Sequence, residues 1–141
     1  MPLPAPRPGL VIRYDYLWSR EAAAGRDQGK ERPACLVAAT DPATSPRFVV
    51  ILPITHMQPD KDTVGVEIPA RVREALGMDD APSWVIVSEH NVDEWPNGGL
   101  APLPGRSSVF SYGFIPPGLF ARVKASFLEL YEKGRSGGVR R

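Results

Sequence analysis

Five polar side chains stand at the ends of apolar runs in this 141-residue chain: Arg32, Thr55, His56, Glu89 and His90. If those runs are neighbouring strands of a small sheet, the five side chains meet at one rim. A permanently charged guanidinium stabilises a developing phosphorane or oxyanion, while a carboxylate or imidazole can move a proton. The residue types therefore predict acid–base chemistry on a charged intermediate. The competing interpretation is that strand ends are polar because they meet water.

Other kinds of site have little support in the sequence. His56 and His90 are the only histidines, and no spacing places two histidines and a carboxylate on one element, as zinc needs. A P-loop, a dinucleotide fingerprint and a Gly-x-Ser-x-Gly elbow are absent. The single cysteine, Cys35, sits in an apolar run and is interpreted as a small buried hydrophobe. We therefore expect no metal and no cofactor.

Short strands must position these side chains, because 16 of the 141 residues are proline and long helices cannot dominate. The alternation over residues 10–16 predicts a half-buried strand with Leu10, Ile12, Tyr14 and Tyr16 on one face. Further apolar or alternating runs predict strands at 34–40, 48–54, 63–68, 83–88 and 108–115.

Two helices complete the expected architecture. Pro69 predicts the start and Gly77 the end of a two-turn helix. Apolar residues at helical spacing predict a C-terminal helix over 119–132. The pattern indicates a mainly β fold of five to six strands, mostly antiparallel, as a small twisted sheet or partly closed barrel with helices attached.

The expected domain organisation is simple. Residues 1–8 form an extended proline-rich lead-in, residues 9–133 a single domain, and residues 134–141 a flexible basic tail. Residues 18–33 read as a long exposed loop.

The net charge of +1 conceals an uneven distribution, because residues 56–97 are strongly acidic whereas the terminal segments are basic. Near-neutrality therefore does not exclude a local phosphate-binding face. No run approaches the ~18 apolar residues of a membrane span, and the N-terminus lacks a signal-peptide core. With one cysteine and no internal disulfide possible, we expect a cytoplasmic protein that does not enter a membrane.

The order of these motifs resembles that of the PemK/MazF toxins of bacterial toxin–antitoxin systems. Over residues 8–132 the matching motifs follow in the same order: Pro8-Gly9 before the first strand, Arg32-Pro33 before the second, Pro53-Ile54-Thr55 at the end of the third, Ser88-Glu89 after an apolar strand, and Tyr112-Gly113 ahead of the C-terminal helix.

The resemblance implies an SH3-like barrel, usually a homodimer, that cleaves single-stranded RNA without a metal ion. It also implies growth inhibition and a cognate antitoxin that holds the enzyme inactive. In that chemistry the RNA 2′-OH attacks the adjacent phosphorus and leaves a 2′,3′-cyclic phosphate and a 5′-OH. Arg32 matches the catalytic arginine of the family and Thr55 its catalytic threonine.

Several assignments remain open from the residues alone. Because arginine stays charged, His56, Glu89 or His90 is the better candidate to carry a proton. Loop residues that could contact RNA are Arg20, Arg26, Lys30 and, through stacking or by packing over the barrel, Trp18. The alternative function is a non-catalytic barrel of the same fold that binds a protein partner or nucleic acid, and a small-ligand-binding barrel is a weaker one.

Overall fold

The computed structural model describes residues 3–141, which contain nine strands and three helices. The strands are β1 Leu10–Tyr16, β2 Lys30–Ala39, β3 Arg47–Thr55, β4 Gly65–Glu67, β5 Trp84–Ile86, β6 Glu89–Trp95, β7 Leu100–Ala101, β8 Ser111–Phe114 and β9 Gly137–Arg140. The helices are α1 Ser19–Ala23, α2 Ala70–Ala75 and α3 Pro117–Glu132.

The nine strands form one sheet, whose longest path of neighbours has the order β4-β5-β3-β2-β1-β7. The long strand β3 pairs with β6 along its first part and with β5 at its end, while β1 pairs with both β7 and β8. All these pairs are antiparallel, and only the β6–β9 pair among the described residues is parallel. The strand order has two ends, so hydrogen-bonded pairing does not close the sheet into a barrel.

Both faces of the sheet are buried, in two separate cores. The first core contains the alternate residues of β1 that the sequence places on one face, residues of β2, β3, β5 and β6, and the tryptophan that precedes α1. Its members are Leu10, Ile12, Tyr14, Tyr16, Trp18, Ala34, Leu36, Val49, Ile51, Ile86 and Trp95. The second core lies between the opposite face and the helices, where Val72 of α2 and Leu119, Val123 and Phe127 of α3 pack on Val11 and Cys35. Period-2 alternation therefore separates the two cores.

The structure confirms a mainly β, mostly antiparallel fold with a C-terminal helix, but it has nine strands instead of five or six. The largest element that the sequence did not predict is β6, which reads Glu-His-Asn-Val-Asp-Glu-Trp. Its first three residues are polar and buried, so neither alternation nor an apolar run marks it as a strand. The other unpredicted strands are the two-residue β7 and the C-terminal β9.

The ends of the chain differ in how far they match expectation. Residues 3–7 of the predicted lead-in have no helix or strand, and Met1 and Pro2 lie outside the described residues. The sequence predicts a flexible tail at residues 134–141, whereas the structure forms β9 there. The side chain of Arg141 is only 14% exposed and donates hydrogen bonds to the Tyr14 hydroxyl and to Asn91 Oδ1. Partners distant in the sequence therefore hold this segment.

Gly29 lies where the chain enters β2, and no other residue fits this position. Its N–H donates to Asp15 Oδ1 at 2.6 Å, and a Cβ there would lie 1.8 Å from the carbonyl oxygen of Tyr16. Gly29→Ala must push β1 and β2 apart, so we expect the free energy of unfolding to fall by about 1–3 kcal/mol. Urea denaturation measures this effect. The matched control is Gly98→Ala, where nothing lies within 4 Å of the added Cβ; equal effects of the two substitutions would contradict the prediction.

Candidate functional site

Arg32 is positioned by the pairing of β1 and β2, in which it lies opposite Tyr14. Paired residues point to the same face of a sheet, so Arg32 shares the face of the first core, near the edge where the chain enters β2. Its Cζ atom lies 5.1 Å from the centre of the Trp18 ring. The ring therefore supports the guanidinium through a cation–π contact.

The electrostatic setting of Arg32 is unusual for a half-buried cation. Its Nε atom is buried without a hydrogen-bond partner, and within residues 3–141 no carboxylate lies within 4.0 Å of its guanidinium. Burial lowers the pKa of Arg32, and the more distant Glu21 opposes this effect while Arg20 adds to it. A buried Nε without a hydrogen-bond partner costs stability, and an anionic ligand that accepts from the Arg32 guanidinium would relieve that cost.

Thr55 is the last residue of β3 and lies opposite Trp84 of β5. Its Oγ1 accepts a hydrogen bond from the Met57 N–H at 3.1 Å, which leaves the hydroxyl hydrogen available to donate to a ligand. Arg32 and Thr55 line one cavity of about 220 Å³, here named the Arg32 cavity. His56 also lines it, so the structure brings together three of the five predicted site residues.

His56 borders the Arg32 cavity, but both of its ring nitrogens face oxygen atoms. Nδ1 lies 3.0 Å from the Pro82 carbonyl oxygen and Nε2 lies 3.1 Å from Asp79 Oδ2. The ring can donate to both oxygens only when both nitrogens carry a proton. In this arrangement His56 presents no free nitrogen to a ligand.

Glu89 does not line the Arg32 cavity. Its carboxylate is buried, and Oε1 accepts hydrogen bonds from the Tyr16 hydroxyl at 3.1 Å and from the Ser19 N–H at 2.9 Å. Burial and the neighbouring Glu89 charge together raise the pKa of Tyr16. Glu89 thus anchors the start of α1, next to the Trp18 ring that supports Arg32.

His90 is also absent from the Arg32 cavity. Its side chain is in a structural setting: Nδ1 lies 2.8 Å from Ser136 Oγ, and the ring makes edge contacts with Phe127 and Tyr131 of α3. A Cβ on Gly138 of β9 would lie 2.8 Å from His90 Nε2, so β9 packs directly on the ring. Consecutive residues of a strand point to opposite faces, so Glu89 and His90 cannot both reach one site.

The buried His90 should make stability depend on pH. Burial lowers the pKa of His90 below its usual 6.5, so below that pH the unfolded chain binds more protons than the folded chain. We expect the free energy of unfolding to decline as the pH falls from 6.5 towards the lowered pKa. Urea titrations at several pH values measure the slope. His90→Gln should flatten it, whereas His56→Gln keeps the His90 contribution; a slope unchanged in His90→Gln would refute this origin.

The three predicted loop cations have different positions. Arg20 is exposed, with its Cζ 5.1 Å from the centre of the Trp18 ring, and it lines a cavity of about 130 Å³, here the Trp18 cavity, which Thr55 also lines. Arg26 is ion-paired with Glu21 at 3.0 Å, and the exposed Lys30 begins β2; neither lines the Arg32 or the Trp18 cavity. Trp18 itself is only 7% exposed, so it packs in the first core while two guanidiniums lie over its ring.

Sequence reasoning missed a third cavity, of about 330 Å³, here the Arg13 cavity. It shares Arg13, Pro33, His56 and Met78 with the Arg32 cavity and continues to Arg106 and Tyr112. Arg13 Nη1 donates to the Tyr112 hydroxyl oxygen at 3.2 Å, and Arg13 Nε lies 3.6 Å from Glu31 Oε1. The one local signal was the alternation of β1, which places Arg13 on the face opposite to Tyr14.

The fold and the cavities define a mainly β protein with a cavity lined by an arginine that has no carboxylate partner. Within residues 3–141 no group of three His, Cys, Asp or Glu side chains has an arrangement that could hold a metal ion. None of the helices in the same range has the length and apolar character needed to cross a membrane. Neither a protein-family model nor a curated protein matches the chain.

Proposed function

We propose that this protein is an endoribonuclease of the PemK/MazF toxin type, which cleaves single-stranded RNA without a metal ion. The observation that carries the proposal is the unpaired guanidinium of Arg32, which lines the same cavity as the Thr55 hydroxyl. An arginine without a carboxylate partner and a free hydroxyl hydrogen are suited to the non-bridging oxygens of a phosphodiester.

The proposed reaction uses the nucleophile of the RNA itself. The 2′-oxygen loses its proton and bonds to the adjacent phosphorus, the bond from phosphorus to the 5′-oxygen breaks, and the 5′-oxygen takes up a proton, leaving a 2′,3′-cyclic phosphate and a 5′-OH. Arg32 holds the non-bridging oxygens as charge accumulates on them, and Thr55 donates a hydrogen bond to the same phosphate. Of the three predicted proton carriers, His56 alone borders the cavity, and it must first release the Pro82 carbonyl or Asp79.

The biological setting of the proposal follows from the sequence resemblance. A cognate antitoxin would hold the enzyme inactive, and the active species would be a cytoplasmic homodimer. Expression of the protein without its antitoxin would then inhibit growth.

A second candidate function is RNA binding without cleavage by the same fold. It is favoured by the positions of the proton carriers: both nitrogens of His56 are occupied, and Glu89 and His90 lie outside the Arg32 cavity. In this case Arg32 and Thr55 would grip a phosphate but no group would activate the 2′-OH.

The experiment that tests the proposal is incubation of the purified protein with mixed single-stranded RNA in EDTA. We expect defined fragments that carry 2′,3′-cyclic phosphate and 5′-OH ends. A 2′-O-methylated RNA should be bound and not cut, because its nucleophile is blocked. Binding of unmodified RNA without cleavage would support the second function, and a protein that neither binds nor cuts RNA would contradict both.

A further inference from the structure

We propose that the Arg13 cavity binds one nucleobase of single-stranded RNA, in the nucleotide next to the phosphate held by Arg32. The placement of that phosphate rests on the proposed function. The inference adds a base-recognition site made of Arg106 and Tyr112, two residues that take no part in the chemistry above.

The first support is that the cavities are neighbours. Four residues line both the Arg32 cavity and the Arg13 cavity, so a ligand in one lies close to the other. Thr55 similarly lines both the Arg32 cavity and the Trp18 cavity. The Arg32 cavity, of about 220 Å³, thus has a neighbour of about 130 Å³ at Trp18 and one of about 330 Å³ at Arg106.

The second support is the chemical character of the walls. A nucleobase has two apolar faces and a polar edge. The Arg13 cavity offers apolar surface from Leu76, Met78 and Leu103, and its polar groups include Arg106 and the Tyr112 hydroxyl. A volume of about 330 Å³ with mainly apolar walls and a few placed polar groups is typical of a small-molecule site.

The third support is that these polar groups are free to bind. Arg106 is exposed, and across residues 3–141 no carboxylate lies within 4.0 Å of its guanidinium. The Tyr112 oxygen accepts from Arg13, so its own hydrogen can point to a ligand. Guanidinium and hydroxyl donors match the acceptor edge of a base, as in the pairing of arginine with guanine O6 and N7.

The geometry favours a single strand over a duplex. Entry into a cavity beside Leu76 and Leu103 requires a base that has left its stack, and unpaired RNA can splay its bases in this way at low cost. A site that held only phosphate would not need this apolar surface.

The test measures binding independently of cleavage. Fluorescence anisotropy with a 2′-O-methylated five-nucleotide RNA gives the Kd, and five further probes each carry one abasic position. Salt is held constant, because phosphate contacts dominate its effect. We expect one abasic position to weaken binding to the wild type by roughly tenfold, and Arg106→Ala to weaken binding of the intact RNA by a similar factor. Tyr112→Phe should have a smaller effect of the same kind.

The decisive quantity is the coupling between the two changes. If Arg106 contacts that base, the abasic substitution weakens binding by a clearly smaller factor in Arg106→Ala than in the wild type, because Tyr112 and the apolar walls still hold the base. The control is Arg122→Ala on the exposed side of α3, which should bind every probe as the wild type does. Equal abasic losses in the wild type and in Arg106→Ala overturn the base site while RNA binding stands. Coupling without any cleavage of unmodified RNA supports the base site and overturns the nuclease alone. Failure of the wild type to bind overturns both.

Discussion

Arg32→Lys is expected to reduce the rate of RNA cleavage by roughly 10²–10³-fold, and Arg32→Ala by at least as much. Lysine keeps the positive charge, but it lacks the planar fork that can donate two parallel hydrogen bonds to a phosphate. It also loses the stacked contact with the Trp18 ring, 5.1 Å away, which sets the direction of the guanidinium. The measurement is single-turnover cleavage of a short RNA in EDTA.

The same substitutions should leave folding intact. Arg32 has a buried Nε without a partner, so its removal takes away an unfavourable group. We therefore expect the free energy of unfolding of Arg32→Lys to equal or exceed that of the wild type, as is common for residues kept for function. Arg122→Ala serves as the matched control for loss of a surface cation. It should change neither the rate of RNA cleavage nor the free energy of unfolding. Wild-type cleavage by Arg32→Lys would refute the role of Arg32 in the reaction.

Asn91→Ala should have the largest effect on stability, a loss of about 3 kcal/mol. Asn91 of β6 is fully buried; its Nδ2 donates to the Leu17 carbonyl at 2.8 Å, and its Oδ1 accepts from the Leu17 N–H at 3.0 Å and from Arg141 at 3.1 Å. Alanine leaves these groups without their partner, and each buried unpaired group costs about 1–3 kcal/mol. Urea denaturation followed by circular dichroism measures the loss.

Two controls separate the hydrogen bonds of Asn91 from a general effect of side-chain truncation. Gln28→Ala removes an amide from an exposed loop position and should cost less than about 0.5 kcal/mol. Arg141→Ala removes one of the three partners and should cost less than Asn91→Ala does. If Asn91→Ala were as stable as the wild type, β6 would not be held to the end of β1 by this side chain.

This contact also bears on the candidate site. Leu17, held by Asn91, directly precedes Trp18, and Glu89 of the same strand holds the N–H of Ser19. The two buried polar side chains of β6 thus fix the chain on both sides of the ring that supports Arg32. A mainly structural strand therefore positions the residue proposed to act on RNA.

Much of the fold could be predicted because its signals are local. Alternation in β1 assigns Leu10, Ile12, Tyr14 and Tyr16 to one face, and all four lie in the first core. Leu119, Val123 and Phe127 repeat every four residues, and all three are the buried side of α3. Such patterns depend only on neighbours in the chain, so they can be recognised without knowing the tertiary contacts.

Part of the candidate site could be predicted for the same reason. Arg32 and Thr55 stand beside strong apolar runs, and the pairing of β2 with β3 places those runs side by side. The proton carriers could not be chosen from the sequence, because the choice depends on which partners each side chain meets. In the structure, the side chain of His56 contacts Asp79, that of Glu89 contacts Ser19 and that of His90 contacts Ser136.

By itself, the sequence determined the mainly β class, the faces of β1 and the C-terminal helix. It offered five polar residues at strand ends, of which the resemblance to the PemK/MazF toxins favoured Arg32 and Thr55. Only the tertiary structure decided that β6 and β9 are strands and that Glu89 and His90 contact Ser19 and Ser136 outside the Arg32 cavity. It also decided that Arg13, Arg106 and Tyr112 line a cavity next to the Arg32 cavity. The physical reason is that polar strands are stabilised by hydrogen bonds to distant residues, as Asn91 is by Leu17 and Arg141. Patterns among residues that are neighbours in the sequence cannot predict such distant partners.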